Sequence, residues 1–169
     1  MQKRIIGVMA CDPEGLVGNS KTNKLPWSYP EDTFFWQNLV KGMPLIMGYN
    51  TFCNLPEKLL LENCIAVIST KQQPKEFNFF CSIEAFLQSE LYKKTPVFYH
   101  IGGALTMNEF LRNKLINEFY LTKIKSSYQG DLFLALDLIE CYPHEKIFEN
   151  QDFSILHYIR HLNTRCLNE

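Results

Sequence analysis

Pro96-Val97-Phe98-Tyr99-His100-Ile101-Gly102-Gly103 is an apolar run that ends on two adjacent glycines, and helical spacing resumes behind it from Met107 to Leu115. A short apolar run with β-branched and aromatic residues reads as a strand, so the stretch spells strand, glycine turn, helix. Two glycines at such a junction let the backbone approach a ligand closely, and the following helix offers free N–H groups to a pyrophosphate. A glycine pair at a strand end is also an ordinary tight turn, so the motif by itself leaves both uses open. The same junction occurs earlier. Pro44-Leu45-Ile46-Met47-Gly48 reads as a strand, and Asn50-Thr51 then cap a short helix that ends before Pro56. In a parallel sheet both junctions lie at the carboxyl edge of the strands, where ligands bind.

Outward from these two junctions, strands and helices alternate. Arg4 to Ala10 is a strand, Val17 to Lys24 a polar loop, and a helix runs from Pro30 to near Lys41-Gly42. Lys58 to Asn63 reads as a surface loop, Cys64 to Ser69 as a strand and Phe77 to Cys81 as a weaker one, with Ser82 opening another helix. Glu118 to Ile124 is a strand, and Glu145–Glu149 with Phe153–Arg160 make a hairpin around Asn150-Gln151-Asp152. Such alternation predicts an α/β fold. The expectation is one domain with a mostly parallel central sheet of about eight strands, helices on both faces and an antiparallel C-terminal edge strand. The domain is expected over 1–163, with 164–169 as a C-terminal tail.

The chain has 169 residues, 46% of them hydrophobic, with thirteen Phe and eight Tyr, enough for one core. A formal net charge of −1 gives no electrostatic case for nucleic acid or an anionic membrane, and no apolar run reaches spanning length. Six cysteines are scattered without a Cys-x-x-Cys pair, and four histidines show no zinc spacing with them, so no metal is expected. Free thiols point to the cytoplasm. Nothing in the sequence demands more than a monomer.

Leu25-Pro26-Trp27-Ser28-Tyr29-Pro30-Glu31-Asp32 leads into Phe34-Phe35-Trp36. Pro30 suits a first helical turn, and Glu31 and Asp32 suit its positive end. With the aromatics facing the core, a carboxylate hemmed in by Trp27, Phe35 and Trp36 loses solvent and its pKa rises. The simpler use of Asp32 is a helix cap, and the stretch alone favours it.

Ile6 to Ala10, Val17-Gly18, Leu25-Pro26-Trp27 with Asp32, Ile46-Met47-Gly48, Thr51, Ile101-Gly102-Gly103, Leu121-Thr122 and Gly130-Asp131 occur in the order and spacing of the dihydrofolate reductase family. The chain resembles its bacterial members from the first strand to about residue 134. The resemblance implies hydride transfer from NADPH to C6 of 7,8-dihydrofolate. It makes Asp32 the carboxylate that holds the pteridine's amidine edge and promotes protonation at N5, with Thr122 supporting it. Trp27 is similar to a tryptophan that holds an ordered water, and Leu25 sits in the loop that closes over the nicotinamide. Ile6, Gly7, Val8, Thr33, Trp36, Leu55 and Ile101 match substrate-pocket positions. On the cofactor side the matching positions are Val8, Val17, Gly18 and Asn19, then Gly48, Tyr49, Asn50 and Thr51. Ser69 and Thr70 resemble the pair at the adenosine end, and Ile101, Gly102, Gly103, Ala104 and Leu105 match the phosphate contacts. The implied partners are dihydrofolate and NADP(H), with no nucleic acid and no membrane.

Three departures from the family pattern stand out. The basic residue that usually follows the Met-Gly pair is Tyr49, and an arginine often found after the glycine pair corresponds to Leu105. Both help hold a cofactor 2′-phosphate where present, so NADPH preference is expected to be weak unless Ser69, Thr70 or Lys71 substitutes. The arginine that clamps folate's glutamate tail is missing, with Glu62 or a neighbour in its place and Lys58 the cation nearby. Two other readings stay open: a same-fold reductase of another pteridine or pyrimidine, as in riboflavin synthesis, and a ligand-binding homologue without turnover.

Overall fold

The computed structural model describes residues 2–71 and 75–160; the expected domain end at 163, the tail 164–169, His161 and Cys166 lie outside them. The first apolar run forms β1 (Arg4–Cys11). Asp12 then turns the chain, its Oδ1 accepting the backbone N–H groups of Glu14 and Leu16 at 2.9 Å each, and β2 (Leu16–Gly18) follows. Helix α1 (Pro30–Val40) starts on proline and stops before Gly42, whose left-handed φ of +71° favours glycine. β3 (Leu45–Gly48) passes directly into α2 (Tyr49–Cys53), followed by α3 (Glu57–Glu62), β4 (Ile65–Ile68) and β5 (Asn78–Phe80). Ser82 caps α4 (Ile83–Gln88) by accepting from the Ala85 N–H, and Ser89 caps α5 (Glu90–Lys94) in the same way. Next come β6 (Val97–His100), α6 (Ala104–Arg112), β7 (Glu118–Ile124), β8 (Leu132–Phe133) and α7 (Asp137–Glu140). The hairpin β9 (His144–Glu149) and β10 (Phe153–Ile159) closes the described chain.

Eight strands form one sheet in the order β5-β4-β3-β6-β1-β7-β10-β9. Its pairs are parallel from β5 to β7, and β10 runs antiparallel to both β7 and β9. Helices cover both faces, as the side-chain alternation along β3 shows. Leu45 and Met47 join α1, α2 and α3 through Val40, Phe52 and Leu59, whereas Ile46 joins α4 and α6 through Phe86, Met107 and Phe110. Phe86 is fully buried against Phe80, Tyr92 and Phe98, with ring centroids 5.2–5.4 Å away. Truncating such a ring costs about 3–5 kcal/mol.

Neighbouring strands β3 and β6 send their helices to opposite faces, α2 to one and α6 to the other. A crevice must therefore open between their carboxyl ends, at the topological switch point.

Several local expectations change. Residues Lys58 to Asn63 are mostly α3, not a loop: the leucine-rich run favours helix, and burying Leu59 while Leu61 stays 79% exposed fixes its face. α6 begins at Ala104 rather than Met107, directly on the glycine pair, and ends at Arg112 before a left-handed Lys114. Gly48, not Asn50 or Thr51, occupies the cap position of α2. Val17-Gly18 is strand, because β2 pairs with β8 more than a hundred residues away. Phe34 is 73% exposed: three successive helical positions sweep most of a turn, so they cannot all face the core.

Candidate active site

Asp32 and Trp36 lie one helical turn apart on α1 and face the crevice together. Thr122 stands mid-strand on β7, between Ala10 of β1 and Ile155 of β10. Its Oγ1 donates to Asp32 Oδ1 at 2.6 Å, and both residues are buried. No side chain caps α1, so Asp32 is an acid set into a wall and not a cap. Burial pushes its pKa above the ordinary carboxylate value, and the Thr122 hydroxyl pulls part of the way back.

The crevice is a cavity of about 580 Å³. Val8 and Asp32 with Trp36, Leu55 and Thr122 line one part of it. Val17 and Gly18 of β2, with Asn19 and Leu25 of the loop that follows, line another part, and Leu25 is 58% exposed. Gly48, Tyr49, Asn50 and Thr51 meet Ile101, Gly103, Ala104 and Leu105 across the remainder. The two junctions touch: the Gly48 N–H donates to the Gly102 carbonyl at 2.8 Å. A Cβ on Gly48 would lie 2.7 Å from Thr106 Oγ1, so only glycine permits this approach.

Some expected residues sit elsewhere. Ile6 is buried but does not line the cavity. Gly7 also stays outside it; a Cβ there would lie 2.4 Å from the Phe119 ring, so packing on the sheet's other face demands this glycine. Thr33 is exposed on α1, about 100° round the helix from Asp32. Trp27 packs with Ile124, Phe153 and Ile155, 5.3 Å from Tyr128, and Phe35 shares that cluster as a neighbour. Its buried Nε1 has no hydrogen-bond partner among the described residues. Gly102, Ser69 and Thr70 do not line the cavity, whereas Lys71 does.

Lys71 Nζ lies over the Tyr49 ring, 4.2 Å from its centroid. Such a contact holds a cation loosely in place without neutralising it. Leu105, also in the lining, is 76% exposed. Lys58 and Glu62 are exposed on α3 and outside the cavity lining, so neither charge faces the cleft. The loop after β2 is tied at Ser20 and Asn23. Asp131 Oδ1 accepts from the Ser20 N–H at 2.7 Å, and Asn50 Nδ2 donates to Asn23 Oδ1 at 3.2 Å.

Ala10, Asn23, Lys24, Thr106 and Leu132 line the cavity without having stood out in the sequence. Ala10 was within reach, two residues from Val8 on the same strand face. Leu132 arrives through the β2–β8 pairing and left no local signal. Among the described residues no group of three or more His, Cys, Asp and Glu could hold a metal, and no helix is long and apolar enough to cross a membrane.

For a nucleotide cofactor the fit is good on the α6 side. Gly103 leaves no Cβ at the helix entrance, and no side chain caps α6, so its first N–H groups stay available beside the cavity. α2 has only five residues and contributes little dipole.

Fold and site together define a doubly wound α/β protein with a ligand cleft at its switch point and an acid in the cleft wall. A family model described as dihydrofolate reductase matches residues 4–153, and the chain belongs to that family. It is 24% identical to a dihydrofolate reductase of Mycoplasma genitalium over 160 residues, covering 91% of this chain and 96% of that protein. A dihydrofolate reductase of Ureaplasma parvum is 30% identical over 121 residues, 71% of this chain and 76% of that one. The chain is also 31% identical over 125 residues to a segregation and condensation protein A of Mycoplasmoides gallisepticum, where 71% of this chain matches only 20% of that protein. Among solved structures, Enterococcus faecalis dihydrofolate reductase, complexed with NADP(H) and RAB-propyl, superposes with a TM-score of 0.75 at 20% identity, covering 95% of this chain and 98% of that one.

Proposed function

We propose that this chain is a dihydrofolate reductase that uses NADPH to convert 7,8-dihydrofolate to tetrahydrofolate. The buried Asp32–Thr122 pair at the wall of a glycine-floored cleft carries this reading. A carboxylate there is complementary to an amidine edge: it accepts two N–H groups with charge-assisted bonds. Thr122 takes one lone pair of Oδ1, leaving Oδ2 and the second lone pair of Oδ1 for the two N–H groups. Pulling on the amidine edge polarises the pteridine and makes its N5 a better base, so Asp32 assists protonation without touching that nitrogen. Val8, Trp36 and Leu55 keep water from the ring, which strengthens the Asp32 contact. Gly103, Thr51 and the α6 entrance would hold the cofactor's phosphates. When bound, NADPH supplies the hydride; the protein supplies orientation and charge.

The domain is taken to span 1–163 with 164–169 as a tail, and the protein to act as a monomer in the cytoplasm, where its exposed thiols stay reduced. Loss of nicotinamide absorbance with dihydrofolate as substrate tests the function. Turnover only with another pteridine or pyrimidine would assign the related reductase activity instead. Tight binding of both ligands without turnover would make the chain a binding homologue.

A further inference from the structure

His100 is fully buried at the last position of β6. Its ring packs T-shaped against Phe110 at 4.7 Å, and its Nε2 has no hydrogen-bond partner among the described residues. A buried polar atom left so is costly, and a phenylalanine of similar shape would avoid the cost. The other ring nitrogen explains why histidine stands here. Regular strand pairing ends one residue on, with Ile101 N–H donating to the Ile46 carbonyl at 3.0 Å. Gly102 then turns out of the ladder at φ +118°, and its buried N–H meets no carbonyl among the described residues. His100 Nδ1 accepts that N–H at 3.2 Å. This is the two-residue side-chain-to-backbone contact that Asn makes in an Asx turn, built here with imidazole.

We propose that His100 is a positioning residue for the cofactor cleft, fixing the Gly102 amide and with it the entrance of α6. The proposal rests on the reading that this cleft takes NADPH. Gly102 is gripped on both sides, its N–H by His100 and its carbonyl by the Gly48 N–H at 2.8 Å. Gly103 follows directly and lines the cavity. Acceptance at Nδ1 requires the Nε2–H tautomer of a neutral ring. Burial supports that state by pushing the His100 pKa down to about 3.

Two variants separate positioning from packing. His100→Phe keeps the ring and removes the acceptor; His100→Asn keeps an acceptor and leaves a void. We expect His100→Phe to stay close to wild type in heat stability, because relief of Nε2 offsets the orphaned Gly102 N–H, yet to bind NADPH about three- to tenfold more weakly. The loss should fall on KM for NADPH more than on kcat. His100→Asn should melt lower and bind NADPH close to normally. Nitrogen-15 spectra should show the Nε2–H tautomer throughout about pH 5–8. Wild-type affinity in His100→Phe, or an equal loss in His100→Asn, overturns the proposal while leaving the functional reading intact. A wild-type chain that binds no NADPH overturns both.

Discussion

Replacing Thr122 by valine tests the centre of the site with almost no change of shape. The substitution removes one hydroxyl, whose oxygen lies 2.6 Å from Asp32 Oδ1 in a buried setting. Among the described residues this is the side-chain hydrogen bond that Asp32 receives, so the ionised carboxylate would be left buried without it. A hydrogen bond to a charged group contributes about 1.5–3 kcal/mol. For a chain of this size that corresponds to a fall in Tm of roughly 3–12 °C at neutral pH. The pH dependence sharpens the test. Burial raises the Asp32 pKa above 3.8 and the Thr122 bond lowers it, so removing the bond raises it further. The bond favours the ionised form; its loss therefore costs most above the Asp32 pKa and less as pH falls through it. Urea denaturation of wild type and Thr122→Val across a pH series measures this directly, and the pH profile of kcat/KM should shift toward higher pH in the variant. A stability difference that is the same at acid and neutral pH would refute the argument, because the hydroxyl would then be serving no charge.

Asp32→Asn should cut turnover at neutral pH by roughly a hundredfold or more, with partial recovery in acid where substrate is protonated in solution; near-normal rates would remove Asp32 from the mechanism. The same variant should be more stable than wild type at neutral pH, since a raised acid pKa means stability is lost as pH climbs from the unfolded to the folded value, and the gain should vanish below the ordinary carboxylate range. Lys71→Met should weaken NADPH by about tenfold or more and leave NADH unchanged, because Lys71 is the cation held over Tyr49 in the cavity; equal effects on both cofactors would place the 2′-phosphate elsewhere. With Lys58 and Glu62 both turned away from the cleft, a tail-less dihydropterin should be used within about tenfold of dihydrofolate. A hundredfold preference for dihydrofolate would reveal another cation on the tail.

The sequence by itself determined the eight strands of the main sheet in chain order and the two glycine junctions, while the pairing of Asp32 with Thr122 came only through the family resemblance. Strands are legible because apolar runs bounded by Pro and Gly are local signals, and α1 is legible because Pro30 and Gly42 mark its ends chemically. What needed the tertiary structure was every property set by a distant neighbour. α3 is a helix because Leu59 finds a sheet face to cover. β2 is a strand because β8 reaches it across the chain. The aromatic fence imagined around Asp32 is divided: Trp36 lines the cleft, while Trp27 belongs to a separate cluster with Phe153 and Ile155. Gly7 read as a ligand contact, and the Phe119 ring on the opposite face claimed it. His100 passed as one more residue of an apolar strand, since nothing local shows that the Gly102 N–H turns back to meet its ring. Side-chain direction and long-range pairing come from packing the whole chain, and a linear pattern carries neither.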